Sequence, residues 1–171
     1  MIHINKIVGN INSDSDLHEK YQDMMKKDKV EKIQVSRLEA DRIRIRKVSN
    51  KGTDLALTLN PGSRIYDGDV VLLAEERMVI AKRESENVAI ITLNNDISRE
   101  QKLDTAIKLG HIIGNMHRPI MVANNKVYFP IQSDSEVEMF KKLFCNLRQD
   151  IDIKTENLVF EPDTGYDIHG H

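Results

Sequence analysis

Cysteine is nearly absent from this chain of 171 residues: Cys145 is the only one. A single thiol cannot close an internal disulfide, and it excludes any multi-cysteine zinc or iron–sulfur site. Long apolar runs are missing too. The longest, residues 70–74, has five residues, against roughly 18 or more for a membrane-spanning helix. The opening MIHINKIVGNINSD has neither the basic start nor the apolar stretch of a secretion signal, which predicts a cytoplasmic chain with no membrane partner. No sign of charge dominates either. Lys and Arg number 25 against 27 Asp and Glu, a net charge of −2, whereas nucleic-acid binding calls for a concentrated basic field. Motifs of common enzymes are also missing: there is no phosphate-binding glycine loop, no serine elbow and no His-Glu-x-x-His. What remains is 40% apolar and 30% charged residues, a globular composition that fits one ordinary domain or two small ones.

Charge is unevenly spread. Residues 1–84 sum to +2 and residues 85–171 to −4. From Asp150 onward Lys154 is the one base, against six acids, and the chain ends His169-Gly170-His171.

The first half alternates as strands do. Ile33 and Val35 are in phase, residues 42–46 alternate arginine with isoleucine, and Leu55, Leu57 and Leu59 are in phase. Turns are marked at Asn50-Lys51-Gly52, Asn60-Pro61-Gly62 and Asp67-Gly68-Asp69. Residues 70–73 and 78–81 are strand-like, whereas the polar segment 13–29 reads as a short helix or a long loop. This pattern predicts a small β-sandwich or barrel-like domain over residues 1–84.

The pattern changes after residues 82–87. A strand over 88–93 precedes a helix N-capped by Ser98 and running to about residue 115, with Leu103, Ala106, Ile107, Gly110, Ile113 and Gly114 expected on its packed face. His111 is expected at the edge of that face. Strands over 120–123 and 127–130 flank Asn124-Asn125. A second helix, with a capping box at Ser135 and Glu138, carries Val137, Phe140, Phe144 and Leu147 on one stripe. Cys145 falls within it as a small, partly buried side chain. A strand over 151–160 closes the order β-α-β-β-α-β, the split unit of ferredoxin-like folds. The expected class is therefore α+β, with a β-rich domain over 1–84, a ferredoxin-like domain over 85–160 and a flexible acidic tail over 161–171.

Two features suggest chemistry. His117 ends the first helix on the line Leu103, Gly110, Gly114. Each glycine lowers helix stability by roughly 1 kcal/mol relative to alanine, so the pair needs a reason. Tight packing on a strand is one, and a twofold meeting with a second copy is another. In the second case two His117 imidazoles would face each other. The tail is the other feature, because His169 and His171 beside carboxylates form a terminus able to chelate a divalent transition ion. Arg42, Arg44 and Arg46 present a basic strand face, either simply solvated or a docking surface for an acidic partner.

Gly114-Asn115-Met116-His117 resembles the Gly-Asn-Arg-His signature of the urease accessory nickel chaperones, the UreE family. RIRKVSNKGTDLAL, residues 44–57, is similar to that family's strand–turn–strand. Tyr66-Asp67-Gly68-Asp69-Val70 resembles its Gly-Asp-Val/Ile-Leu element, and Phe160-Glu161-Pro162 before a histidine-bearing terminus matches some members. The resemblance implies an N-terminal β domain for docking and a C-terminal ferredoxin-like domain that forms a homodimer. It implies a shared metal on His117 of each chain, with His169 and His171 as added ligands. It also implies a non-catalytic nickel chaperone, at a site that zinc or copper would also fit. Its partners would be the urease accessory GTPase and the urease apoprotein with the other accessory proteins. The alternative is a maturation scaffold in which metal is incidental. Met116 replaces the usual arginine, and the hairpin after the signature has no histidine, unlike that of some members.

Overall fold

The structure, a computed structural model, describes residues 1–163. The chain divides into two compact units, Met1–Glu84 and one beginning at Ser85, and each is an α+β assembly.

The first unit contains β1 (Ile2–Ile4), β2 (Gly9–Asn10), α1 (Ser15–Lys26), β3 (Val30–Val35), α2 (Arg37–Ala40), β4 (Arg44–Val48), β5 (Asp54–Thr58), β6 (Asp69–Ala74) and β7 (Arg77–Arg83). They form two sheets, of order β1-β5-β4 and β2-β6-β7-β3. One core joins the sheets: Ile4, Leu55 and Leu57 from the first meet Ile33, Val35, Val71, Val79 and Ala81 from the second. The four-stranded sheet has a second buried face, where Val30, Val70, Met78 and Ile80 pack with Met24, Leu17 and Tyr21 of α1. A sheet covered on both sides needs apolar side chains at successive positions, which accounts for the unbroken runs in β6 and β7. The three-stranded sheet is covered on one side, so β4 and β5 alternate. The ambiguous segment 13–29 is thus a helix with a packing role, N-capped by Asp14, whose carboxylate accepts from the N–H groups of Asp16 and Leu17.

Two local expectations change. Arg42 is not on a strand, because α2 and a turn intervene and β4 begins at Arg44. The four-residue helix is too short to leave a periodic signal, but Ser36 and Glu39 give it a capping box.

The second unit runs β8 (Glu86–Leu93), α3 (Arg99–Asn115), β9 (Met121–Ala123), β10 (Lys126–Pro130), α4 (Asp134–Leu143) and β11 (Ile151–Leu158). Its sheet has the order β11-β8-β10-β9, with every neighbouring pair antiparallel. Asn124 and Asn125 both have positive φ, 51° and 59°, the backbone that a tight type I′ hairpin requires and asparagine tolerates. The core sets Ala89 and Ile91 of β8 against Leu109 and Ile113 of α3, Phe129 of β10, and Phe140 and Phe144. Phe129 meets Phe140 edge-on at 4.8 Å between ring centres.

Here the helices differ from expectation. The second begins after Ser133, not at a Ser135–Glu138 box, and Glu136 accepts from the Gln132 N–H instead. Cys145 lies past its end, in a 3-10 turn over Cys145–Leu147, and is exposed. The buried face of α3 is Thr105, Leu109 and Ile113. Leu103 and Ile107, expected inside, are 63% and 64% exposed. Both sets recur every three or four residues, so periodicity detects two apolar stripes without telling which one faces its own sheet.

Candidate functional site

The exposed stripe of α3 leads to His117. Leu103, Ile107, Gly110 and Gly114 follow one another at helical spacing and all face outward. A side-chain carbon placed on Gly110 or Gly114 would meet nothing within 4 Å. Close packing on a strand of the same unit is therefore not why these glycines are there.

The helix ends in a way that fixes its histidine. The capping N–H of Met116 donates to the Ile113 carbonyl and that of His117 to the Gly114 carbonyl, at 3.1 and 3.0 Å. His117 itself takes left-handed backbone, φ 51°. Glycine usually fills this position after a helix, and among other residues histidine tolerates it better than most. The chain then turns away through Pro119. Arg118 locks that turn: its guanidinium donates to the Pro130 carbonyl at 3.2 Å and to the Glu136 carboxylate at 2.5 Å, beside the Phe140 ring. The N–H of Gln132 holds the Glu136 carboxyl below its ordinary range, burial opposes this, and Arg118 adds to the lowering. Sequence reading passes over this brace because its partners lie 18 residues apart.

His117 is exposed. Among the described residues, no group of three or more His, Cys, Asp or Glu side chains converges to hold a metal ion. His169 and His171 lie outside the described residues. His111, also exposed, exchanges a hydrogen bond with Asn115 at 3.1 Å. His18 contacts the Ile11 carbonyl at 3.1 Å.

Of the segment 161–171, expected to be a flexible tail, residues 164–171 lie outside the described residues, and Asp163 is hydrogen-bonded. The Asp163 N–H donates to the Ile120 carbonyl, and its carboxylate accepts from the Val122 N–H, both at 2.9 Å. Leaving β11 at one edge of the sheet, the chain therefore reaches β9 at the other, three residues past His117.

The three arginines do not act alike. Arg44 and Arg46 share the outer face of β4, opposite Thr58 and Ala56. Arg46 grips Asp54 through two hydrogen bonds, at 2.9 and 3.0 Å. That grip holds the Asp54 carboxyl below its ordinary range. Arg42 and Arg44 are exposed, with no ion-pair partner among the described residues.

Residues 4–82 match the family described as UreE urease accessory protein, N-terminal domain. Over 135 residues, 77% of this chain, the sequence is 32% identical to the urease accessory protein UreE of Yersinia enterocolitica and 30% identical to that of Yersinia aldovae. The protein of the same name from Yersinia pestis is 32% identical over the same length. The chain spans 57% of the length of each of these relatives.

Proposed function

Since this chain belongs to the UreE family of urease accessory proteins, we propose that it is a cytoplasmic, non-catalytic nickel chaperone that serves assembly of the urease metallocentre. The observation that supports this most is the outward stripe of α3. It is apolar at Leu103 and Ile107, smooth at Gly110 and Gly114, and ends at an exposed imidazole. Apolar surface of this kind gains from association, at roughly 25 cal/mol per Å² removed from water, and a second copy offers a self-complementary stripe. Two such helices meeting near Gly114 bring the two His117 side chains together. His169 and His171 then complete the shell, and ligand exchange through them hands the ion on.

In this reading the second unit is a ferredoxin-like metal-binding and dimerisation domain. The first is a docking module, with Arg42 and Arg44 free to meet acidic side chains and Arg46 already engaged. Its partners are the urease accessory GTPase and, through it, the urease apoprotein with its other accessory proteins. The donor set is imidazole, which suits nickel, zinc and copper alike, so supply and geometry select nickel. Imidazole binds metal only when neutral and ordinarily titrates near about 6.5, so nickel affinity falls as the pH drops through that range. Calorimetric nickel titration of the protein and of His117→Ala tests the site. Unchanged binding by the variant would end it.

A second reading is a maturation scaffold in which metal is incidental. It predicts that a variant with His117, His169 and His171 all replaced still captures its partners and supports urease activation. The chaperone reading predicts capture without activation at limiting nickel.

A further inference from the structure

We propose that the outer edge of β11 is a docking site for an extended segment of a partner protein, one that alternates apolar side chains and carries a carboxylate. β11 and β9 are the two edges of the four-stranded sheet. The β9 edge is met by Asp163, which bonds to Ile120 and Val122. The β11 edge, eight residues long, has no strand beside it among the described residues. The register fixes which of its backbone groups face outward. The Asn94 N–H donates to the Asp150 carbonyl at 2.8 Å, and Asp152, Lys154 and Glu156 continue that series opposite Thr92, Ile90 and Val88. In an antiparallel ladder alternate residues turn their N–H and C=O to the partner strand. Ile153, Thr155 and Asn157 therefore turn theirs away from β8, and among the described residues no other backbone group meets them. Such an edge is a template for one more strand.

A groove lies along the start of this edge. Phe144, Ile151 and Ile153 floor it, Lys141 and Arg148 rim it on the helical side, and Asp152 lies at its other margin. Its volume is about 270 Å³, below the roughly 300–1,000 Å³ of small-molecule pockets, so it suits a side chain or two of a peptide. Phe144 and Ile151 belong to the core beneath, which fixes the floor. Side chains alternate across a strand, so Ile151 and Ile153 share the groove face while Lys154 and Glu156 occupy the other. A strand added to β11 alternates likewise and sets every second side chain over the groove. Of the charged groups around it, Lys141 is held by Glu138 at 2.7 Å and Asp152 is drawn to Lys154 at 3.6 Å. Arg148 is exposed, with no hydrogen bond or ion pair among the described residues. The charge left over is positive, which selects a carboxylate on the added segment. The site uses none of the proposed metal ligands and stands whether or not nickel binds.

The probe is a short synthetic peptide, capped at both ends, that alternates valine with threonine and ends in glutamate. It is titrated calorimetrically into the full chain. Its controls are the same peptide ending in lysine and one N-methylated at the amides of its pairing edge. The glutamate peptide should bind and protect the Ile153, Thr155 and Asn157 amides from hydrogen exchange, and the N-methylated one should not bind. Arg148→Ala should weaken binding by up to about fivefold, the reach of an exposed ion pair. Arg148→Glu should reverse the preference between the glutamate and lysine peptides. Thr155→Pro removes an outward N–H and leaves the ladder to β8 intact, so it should abolish binding where Thr155→Ala keeps it. No protection at these amides with the glutamate peptide in excess would overturn the docking edge. Binding of the N-methylated peptide would overturn strand addition, and equal binding of the glutamate and lysine peptides would overturn the acidic partner. Protection of the same amides without peptide, rising with protein concentration, would overturn the proposal by assigning the edge to a second copy.

Discussion

The two units place their polar and apolar side chains differently. In Met1–Glu84 charge is largely satisfied within the unit. Glu31, 5% exposed, accepts from the Ser49 hydroxyl and pairs with Arg77. Glu39 holds Lys47 and Ser36, and Asp67 holds Lys82 and the Arg83 N–H. Both faces of its four-stranded sheet are covered, and its exposed large apolar residues, Met1, Val8, Met25, Leu38, Ile43, Val48 and Tyr66, are scattered along the chain and do not line one helix. The second unit has one dense aromatic core and an apolar stripe outside it, on a single helix that ends at His117. The contrast separates a unit whose four-stranded sheet is covered on both faces from one that carries exposed apolar side chains along its first helix.

The strongest way to break this contrast is to charge the stripe. Leu103→Asp with Ile107→Asp should convert a dimer to monomers in sedimentation, while circular dichroism stays unchanged because both side chains are already exposed. Fully burying such a side chain contributes roughly 1.5–3 kcal/mol, and a twofold interface uses four. An unchanged mass would remove the stripe from the interface. Next, Phe140→Ala should destabilise the second unit by about 3–5 kcal/mol, read as faster hydrogen exchange within residues 85–163. Equal loosening of residues 1–84 would show that the units do not behave separately.

A smaller effect probes the first unit's internal pairing. Burial pushes the Glu31 carboxyl up, but the hydroxyls of Ser49 and Thr53 and the charges of Arg77 and Lys51 outweigh it, so the folded value lies below the ordinary 4.5. A lowered carboxylate contributes stability above its unfolded value and loses it as the pH falls through the folded one. Ser49→Ala should therefore cost about 1.5–3 kcal/mol at neutral pH, and less in acid once the pH has fallen through the lowered folded value of Glu31, by urea titration at both. A loss independent of pH would mean the serine acts by packing alone. The smallest change is Arg46→Ala. It should leave the urea midpoint within error, because the pair with Asp54 is on the surface. Arg42→Glu with Arg44→Glu should instead abolish capture of an acidic partner.

Much of this was legible in the sequence where one local rule governed. The Ser98 cap, the Asn124-Asn125 hairpin and the alternation of β4 and β5 each depend on neighbours within a few residues. Segment 13–29 did not declare itself, because its polar face outweighs the weak stripe of Leu17, Tyr21 and Met24. The unbroken runs in β6 and β7 read only as strands, and the second cover such runs need is supplied by α1 in the folded unit. The inner and outer stripes of α3 could not be told apart, since both carry the helical period and only tertiary packing chooses. Of the candidate site, the Gly114 to His117 segment was legible as a signature. The Arg118–Glu136 brace and the Val122–Asp163 bond were not, because they join residues 18 and 41 positions apart.

The central claim is that two copies share one ion through His117. Native mass spectrometry of the nickel-loaded protein, beside His117→Ala, tests it most directly. The account predicts two chains with one nickel ion for the parent, and a dimer that has lost its nickel for the variant. A nickel-bearing monomer, or a variant dimer that keeps its ion, would contradict it.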